Sequence, residues 1–544
     1  MKRLGHLDAD ARGRPRGECA SRPVPPHGRA GGRRRAPPGP ARGAAAVLGV
    51  QALAALAAPA AFAALALAAL AAPARADGAL KPCRIDGVRH ELLCGRVTRP
   101  VDPAAPGGRS IDIHYAVAPA RARHKQPDPL FLLAGGPGQS AIALAPQALA
   151  LFSRLNNRRD VVFVDQRGTG RSAPLECEDT RHRPLADQAD PQLQAAQLRH
   201  CRESLLKLPH VKSADDLRFF TTSVAMQDLD AVRRQLGAER VDLVGASYGT
   251  RAALEYLRQF PQHVRRVVLD GVAPPDMVLP ASFSGDSQAA FDAMAAACDA
   301  EAECARRHPR LREHWRALLA SLPRRVSVAH PLTGRVESFV LTRDLVLGAV
   351  RGPLYLPAVA AALPLAIEEA AAGRFEPLAG LNSLFGARKG AALAMGMHFA
   401  VVCAEDVPRL GRSGDAPGRD FGDDFAKLYQ RTCADWPRGV VPKGFYTVPP
   451  SASPVLLLSG AADPATPPRH GERMARALGG RARHVVVPNA GHGVMGVGCM
   501  RDVLLRFIDA ETDAQALGVD VSCVGALPRP PSYRPPEIVP EAAR

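Results

Sequence analysis

Gly245-Ala246-Ser247-Tyr248-Gly249 has the residue types and spacing to do chemistry. It lies between an apolar run, Val241-Asp242-Leu243-Val244, and a helical pattern over residues 250–259 that stops before Pro261. In that setting G-x-S-x-G is a nucleophile turn, a strained strand-to-helix reversal whose glycines leave space for it and whose serine hydroxyl stands at the start of the helix. The plainer reading of the same five residues is a strand–helix turn of small residues, so partner groups must decide. A serine hydroxyl is a weak nucleophile at its free pKa and needs a general base within hydrogen-bond reach. Of sixteen histidines, His492 in Asn489-Ala490-Gly491-His492-Gly493 stands just after the last apolar run, where a loop can present it. Chains with this turn run in the order Ser, Asp or Glu, His. Asp463, in Gly460-Ala461-Ala462-Asp463-Pro464, is the favoured acid; it would fix the imidazole tautomer and stabilise the imidazolium. Asp270, ending Val267-Val268-Leu269-Asp270, is its rival.

An acyl-transfer reaction also needs donors for the developing oxyanion. One is the backbone N–H of the residue after the nucleophile, Tyr248. The other is expected from a glycine-rich loop after an earlier strand, and Gly135-Gly136-Pro137-Gly138 fits, with Gly136 as the donor. That loop lacks the Lys-Ser/Thr of a phosphate loop, which argues against nucleotide binding. No CxxC or His-Cys spacing suggests zinc, so neither a metal nor a cofactor is expected.

The elements that must position these groups are legible as short apolar runs alternating with helical patterns. Residues 129–134, 161–165, 241–244, 267–270, 455–458 and 484–487 read as strands; 224–237 and 250–259 read as helices. Alternation of this kind means an α/β fold with a doubly wound, mostly parallel sheet. Residues 276–450 break the alternation and are Ala-rich and helical in character, as a cap inserted between two halves of the sheet would be. The expected organisation is a leader over 1–76, sheet core over 77–275, cap over 276–450, sheet core again over 451–525, and a Pro-rich tail over 526–544.

The chain of 544 residues is 47% hydrophobic and 23% charged, which excludes wholesale disorder. Its net charge of +17 is uneven: residues 1–43 hold eleven Lys and Arg against three acids. With aromatics at 5% and no basic stripe among them, nucleic-acid binding is not expected. Residues 44–72 carry no charge and precede Ala74-Arg75-Ala76, a small-x-small cleavage pattern, so the leader reads as an export signal cut after Ala76. An uncleaved stretch of that length would instead anchor the protein in the inner membrane. Beyond the leader ten cysteines remain, an even number that fits disulfides in the periplasm or outside the cell. Pairing neighbours (83–94, 177–201, 298–304, 403–433, 499–523) closes the shortest loops.

The run Gly135-Gly136-Pro137-Gly138, Asp165-Gln166-Arg167-Gly168-x-Gly170-x-Ser172, Gly245-x-Ser247-Tyr248-Gly249, Asp463 and Gly491-His492 resembles the α/β-hydrolase serine exopeptidases. These are the prolyl aminopeptidases and, closer, the exported bacterial tripeptidyl aminopeptidases with a TAP-like C-terminal segment. The resemblance spans about residues 83 to 525 and implies removal of short units from peptides with a free N-terminus. Ala134 departs from the His that many prolyl aminopeptidases carry before the two glycines. In the family the cap supplies acidic groups that capture the substrate's α-amine. The resemblance implies that role for Glu405, with Asp406 in support, in Val401-Val402-Cys403-Ala404-Glu405-Asp406. Asp165-Gln166-Arg167 reads as a structural turn under the oxyanion loop. The alternative enzyme is an exported carboxylesterase using the same Ser247, Asp463 and His492, because such a triad serves esters and amides alike. A noncatalytic binding protein on this scaffold is disfavoured by the complete set of reacting groups.

Overall fold

The computed structural model describes residues 80–386 and 392–535. The leader with its uncharged stretch and cleavage pattern, Cys19, and residues 536–544 of the Pro-rich tail lie outside them. The short apolar runs become the middle of a nine-stranded sheet. Its strands are β1 (Lys81–Cys83), β2 (Leu92–Pro100), β3 (Ser110–Ala118), β4 (Leu130–Leu133), β5 (Val161–Val164), β6 (Val241–Ala246) and β7 (Val264–Asp270), with β10 (Val455–Gly460) and β11 (Ala482–Val487) after the insertion. They lie in the order β1-β2-β3-β5-β4-β6-β7-β10-β11. From β5 to β11 all neighbours are parallel, while β1, β2 and β3 add an antiparallel edge. Strands β4 and β5 are buried throughout, as expected of strands covered on both faces. The antiparallel edge strands were not among the expected elements. β2 (LLCGRVTRP) is only half-buried and interleaves Arg96 and Arg99 with apolar residues, so it carries no continuous apolar run.

Helices cover both faces. Helix α1 (Thr222–Gln235) and helix α2 (Tyr248–Gln259) pack on one face, where Met226, Leu229, Tyr256 and Leu257 meet Phe131, Leu243 and Val267. On the other face Val503, Leu504 and Phe507 of helix 500–509 meet Val244, Leu456 and Leu458.

A third apolar core belongs to the insertion. Phe291 of helix α3 (Leu279–Ala300) packs there with Trp315, Val350 and Ile367, and helix α4 (Arg343–Leu354) lies alongside. This part is not helical throughout: β8 (Arg324–Ala329) and β9 (Val336–Leu341) form an antiparallel hairpin. The reason is visible in their period of two, which buries Val326, Val328, Phe339 and Leu341 and exposes the residues between. Helix α5 (Met395–Glu405), within the same insertion, packs instead into the first core beside the sheet through Met397, Phe399, Val401 and Val402. The ten cysteines after the leader pair as neighbours, with Cα–Cα separations from 5.1 Å (Cys177–Cys201, Cys298–Cys304, Cys403–Cys433) to 6.5 Å (Cys499–Cys523). Among the described residues no helix is long and apolar enough to cross a membrane.

Candidate active site

Ser247 sits where β6 turns into α2, with φ 56° and ψ −125°. That is strained backbone for a residue with a side chain, of the kind held only where surrounding structure over-determines it. Here the flanking glycines are required: a Cβ on Gly245 would run into the Gly249 carbonyl, and one on Gly249 into the Leu133 carbonyl. Ser247 N–H donates to the Asp270 carbonyl at 2.8 Å. Thr250 pins the other side, its hydroxyl donating to the Ser247 carbonyl at 2.6 Å and accepting from Ala273 N–H at 2.8 Å.

The glycine-rich loop runs alongside. A Cβ on Gly135 would lie 3.1 Å from Ser247 Cβ, and Gly136 adopts φ +110°. Behind the loop Asp165 accepts from Ser140 Oγ (2.6 Å), Ile142 N–H (3.1 Å) and Arg171 N–H (3.2 Å). Arg167 holds Asp228 in a bidentate fork through Nε and Nη2, at 2.7 and 2.9 Å. This turn therefore braces the loop rather than facing the nucleophile. Its middle residue does reach the site, since Gln166 Nε2 donates to Tyr248 Oη at 3.0 Å.

His492 and Asp463 come together after β11 and β10. His492 Nδ1 donates to Asp463 Oδ2 at 2.8 Å, which leaves Nε2 as the basic nitrogen. Asp463 is further held by the N–H groups of Ala465 and Thr466 and by Thr466 Oγ1 at 2.8 Å, with Thr466 Oγ1 also 3.1 Å from His492 Nδ1. Burial pulls the His492 pKa down, but Asp463 outweighs it and holds the imidazole above its ordinary value of 6.5. Burial likewise pushes Asp463 up, and His492 with the two N–H groups brings it below the usual carboxylate range. Asp270 does different work, accepting from Val494 and Met495 N–H at 2.9 and 3.0 Å and so fixing the loop that carries His492. Tyr355 clamps that loop from the cap: its carbonyl accepts His492 N–H at 2.9 Å and its ring stands edge-on to the imidazole at 5.1 Å. The side-chain bonds of His492 are all on its Nδ1 side, and among the described residues none joins Nε2 to Ser247. Such bonds are often open without substrate.

Glu405 and Asp406 are internal. Glu405 Oε1 accepts from Thr222 N–H (2.8 Å) and Oε2 from Thr222 Oγ1 (2.9 Å), and Thr222 Oγ1 lies 2.6 Å from Tyr248 Oη. A chain of donors thus runs from Gln166 through Tyr248 and Thr222 to Glu405, one residue from Ser247. Asp406 is bidentate with Arg251 at 2.9 and 3.0 Å, while Arg251 lies 3.7 Å from Glu405. Burial pushes the Glu405 carboxyl up to about 7, against the pull of Arg251 and Thr222. Sequence reasoning missed Thr466, Thr222, Arg251 and Tyr355. Only Thr466 had a local signal, since a Thr three residues after an Asp in a turn commonly bonds it; the others arrive from elements distant in sequence. Among the described residues no group of three or more His, Cys, Asp or Glu side chains is placed to hold a metal ion.

Known proteins share this framework. Residues 128–296 match the model of the alpha/beta hydrolase fold, and residues 418–519 match that of TAP-like proteins. A hydrolase of Mycobacterium bovis is 30% identical over 71% of this chain and 78% of its own length. The tripeptidyl aminopeptidase of Streptomyces lividans is 28% identical over 84% of this chain and 88% of its own. The serine protease Hip1 of Mycobacterium bovis is 26% identical over 73% of this chain and 82% of its own. With the strained serine turn and the sheet order, these similarities establish that the chain belongs to the α/β-hydrolase family, in the group with a TAP-like C-terminal segment, and is a serine hydrolase.

Proposed function

We propose that this protein is an exported peptidase, periplasmic or secreted, that removes short units from peptides with a free N-terminus through an acyl-enzyme on Ser247. Ser247 Oγ attacks the scissile carbonyl and His492 Nε2 takes its proton. Asp463 holds the imidazolium that forms. The N–H groups of Gly136 and Tyr248 receive the oxyanion. His492 then returns the proton to the leaving amine, and water, activated by the same base, hydrolyses the acyl-enzyme. Five disulfides support export, since such bonds persist in oxidising compartments.

The observation that carries the N-terminal reading is the buried Glu405 at the end of the Tyr248–Thr222 hydrogen-bond chain. Two carboxylates share one arginine there, so with Asp406 matched to Arg251 an ionised Glu405 is the surplus negative charge. A desolvated carboxylate without a full counter-charge is costly until a cation arrives, and an α-ammonium is such a cation. The similarity to the Streptomyces lividans tripeptidyl aminopeptidase points the same way. The test is Glu405→Gln, assayed on an unblocked peptide and on an aryl acetate. The reading expects kcat/KM on the peptide to fall at least tenfold more than on the ester. Equal losses on both substrates would remove the anchor and favour a carboxylesterase.

A further inference from the structure

The cap side of His492 carries a cation that the acyl-transfer steps do not use. Arg351, on α4, donates through Nε to Ser287 Oγ at 3.2 Å and through Nη2 to Tyr355 Oη at 2.8 Å. Its guanidinium lies 4.3, 5.4 and 5.8 Å from the ring centroids of Phe283, Tyr355 and Phe425. Both hydrogen-bond partners are neutral, and among the described residues Arg351 makes no ion pair. The other inward arginines differ. Arg159, Arg167 and Arg251 each hold a carboxylate, and Arg266 is spent on the carbonyls of Phe507 and Ile508. Beside Arg351 lies a cavity of about 550 Å³, lined also by Phe283, Phe425 and Gln194, with Asp344 and Asp424 in its wall. Asp424 is engaged by Lys427 at 3.3 Å.

Position gives this cation a meaning. Tyr355 touches both groups, with its ring 5.1 Å from the His492 ring and 5.4 Å from the Arg351 guanidinium. The general base of such a triad hands its proton to the leaving group, so the leaving unit lies on the His492 side of the nucleophile. Glu405 is tied to the nucleophile turn by a separate route, through Thr222 and Tyr248. Arg351 therefore stands on the leaving-group side, within about 11 Å of the imidazole, a reach of roughly three extended residues. A planar guanidinium walled by aromatic rings and lacking an internal anion is well suited to take a carboxylate in a fork.

We propose that Arg351 binds the C-terminal carboxylate of the leaving unit, so that the enzyme prefers short peptides ending one to three residues beyond the scissile bond. The inference rests on the peptidase reading for its substrate.

The test compares peptides with a free C-terminal carboxylate and their C-terminal amides, each with a free N-terminus, in wild type and in Arg351→Gln and Arg351→Lys. In wild type kcat/KM on the acid should exceed that on the amide at least tenfold when one to three residues follow the cut bond. That advantage should vanish when six follow. Arg351→Gln should bring the acid down to the amide's rate, and Arg351→Lys should retain part of the preference. Amides with Asp just past the scissile bond should stay at the amide rate; rescue by that side chain would overturn the C-terminal assignment. Equal rates on acid and amide in wild type, or an equal fall on both in Arg351→Gln, would overturn the inference. The peptidase reading fails separately, by cleavage of an aryl ester and of no peptide. The inference is then decided on acyl esters of 4-hydroxybenzoate and of its methyl ester, where equal rates overturn it.

Discussion

Thr466 shows how much of this site depends on groups that touch no substrate. Its hydroxyl donates to the same Asp463 oxygen that receives His492 Nδ1–H. A hydrogen bond to a charged group is worth about 1.5–3 kcal/mol, so Thr466→Val should lower kcat by roughly ten- to a hundredfold with little change in KM. A KM effect alone would deny it the role of holding the acid. The titrating groups make a second prediction. His492 acts as a base only when neutral, and Asp463 holds its pKa above 6.5. The acid limb of kcat/KM on a neutral aryl ester should therefore lie above pH 6.5 and fall with a slope of one as pH drops. On a peptide the proposed anchor requires Glu405 to be ionised as well, and its carboxyl is pushed up to about 7. Activity on an unblocked peptide should then fall more steeply, with a slope approaching two, and Glu405→Gln should return the slope to one. Identical limbs for both substrates in wild type would contradict the anchor.

Among the elements, the turn carrying Ser247 is the least tolerant. A Cβ on Gly249 would overlap the Leu133 carbonyl, so Gly249→Ala must displace β4 or the start of α2. Overpacking of this kind costs about 1–3 kcal/mol. A thermal melt should show that loss together with loss of activity, whereas an unshifted melt would mean the turn has room to spare. The disulfide Cys403–Cys433 ties α5, which ends in Glu405, to helix 424–434 across 30 positions of sequence. Replacing both cysteines by Ala should cost about 2–4 kcal/mol in denaturant unfolding and weaken peptide turnover more than ester turnover. Elements of this kind also mark what the sequence could reveal. The parallel strands announce themselves because strands covered on both faces are continuous apolar runs, and the turn at Ser247 because its glycines have no substitute. Strand β2 mixes charges with apolar residues, so no run betrays it, whereas β3 alternates over Ile111-Asp112-Ile113-His114-Tyr115 before a short buried run and is the more legible of the two. The β8–β9 hairpin alternates legibly but sits among Ala-rich helices that mask it. The partners of Glu405 and Asp406 were beyond reach, because Thr222 and Arg251 approach from 183 and 155 residues away.

For the whole molecule, the proposed function makes the insertion the source of selectivity on a general serine-hydrolase sheet. The insertion brings Glu405 to the Thr222–Tyr248 chain beside Ser247 and Tyr355, with Arg351, to His492, while the strand ends of the sheet carry the reacting groups themselves. The five disulfides fit folding in an oxidising compartment, and reductant should lower the melting temperature of the folded protein. The most direct measurement uses the oxidatively folded chain from Asp77 onward and peptides matched but for a free or acetylated N-terminus. Mass spectrometry follows the products, with Ser247→Ala as control. Stepwise loss of N-terminal units from the free peptide alone, abolished in Ser247→Ala, is the expected result and gives the length of the unit removed. Cleavage of neither peptide with turnover of a simple aryl ester, or equal cleavage of both, would contradict an exopeptidase that reads the free amine.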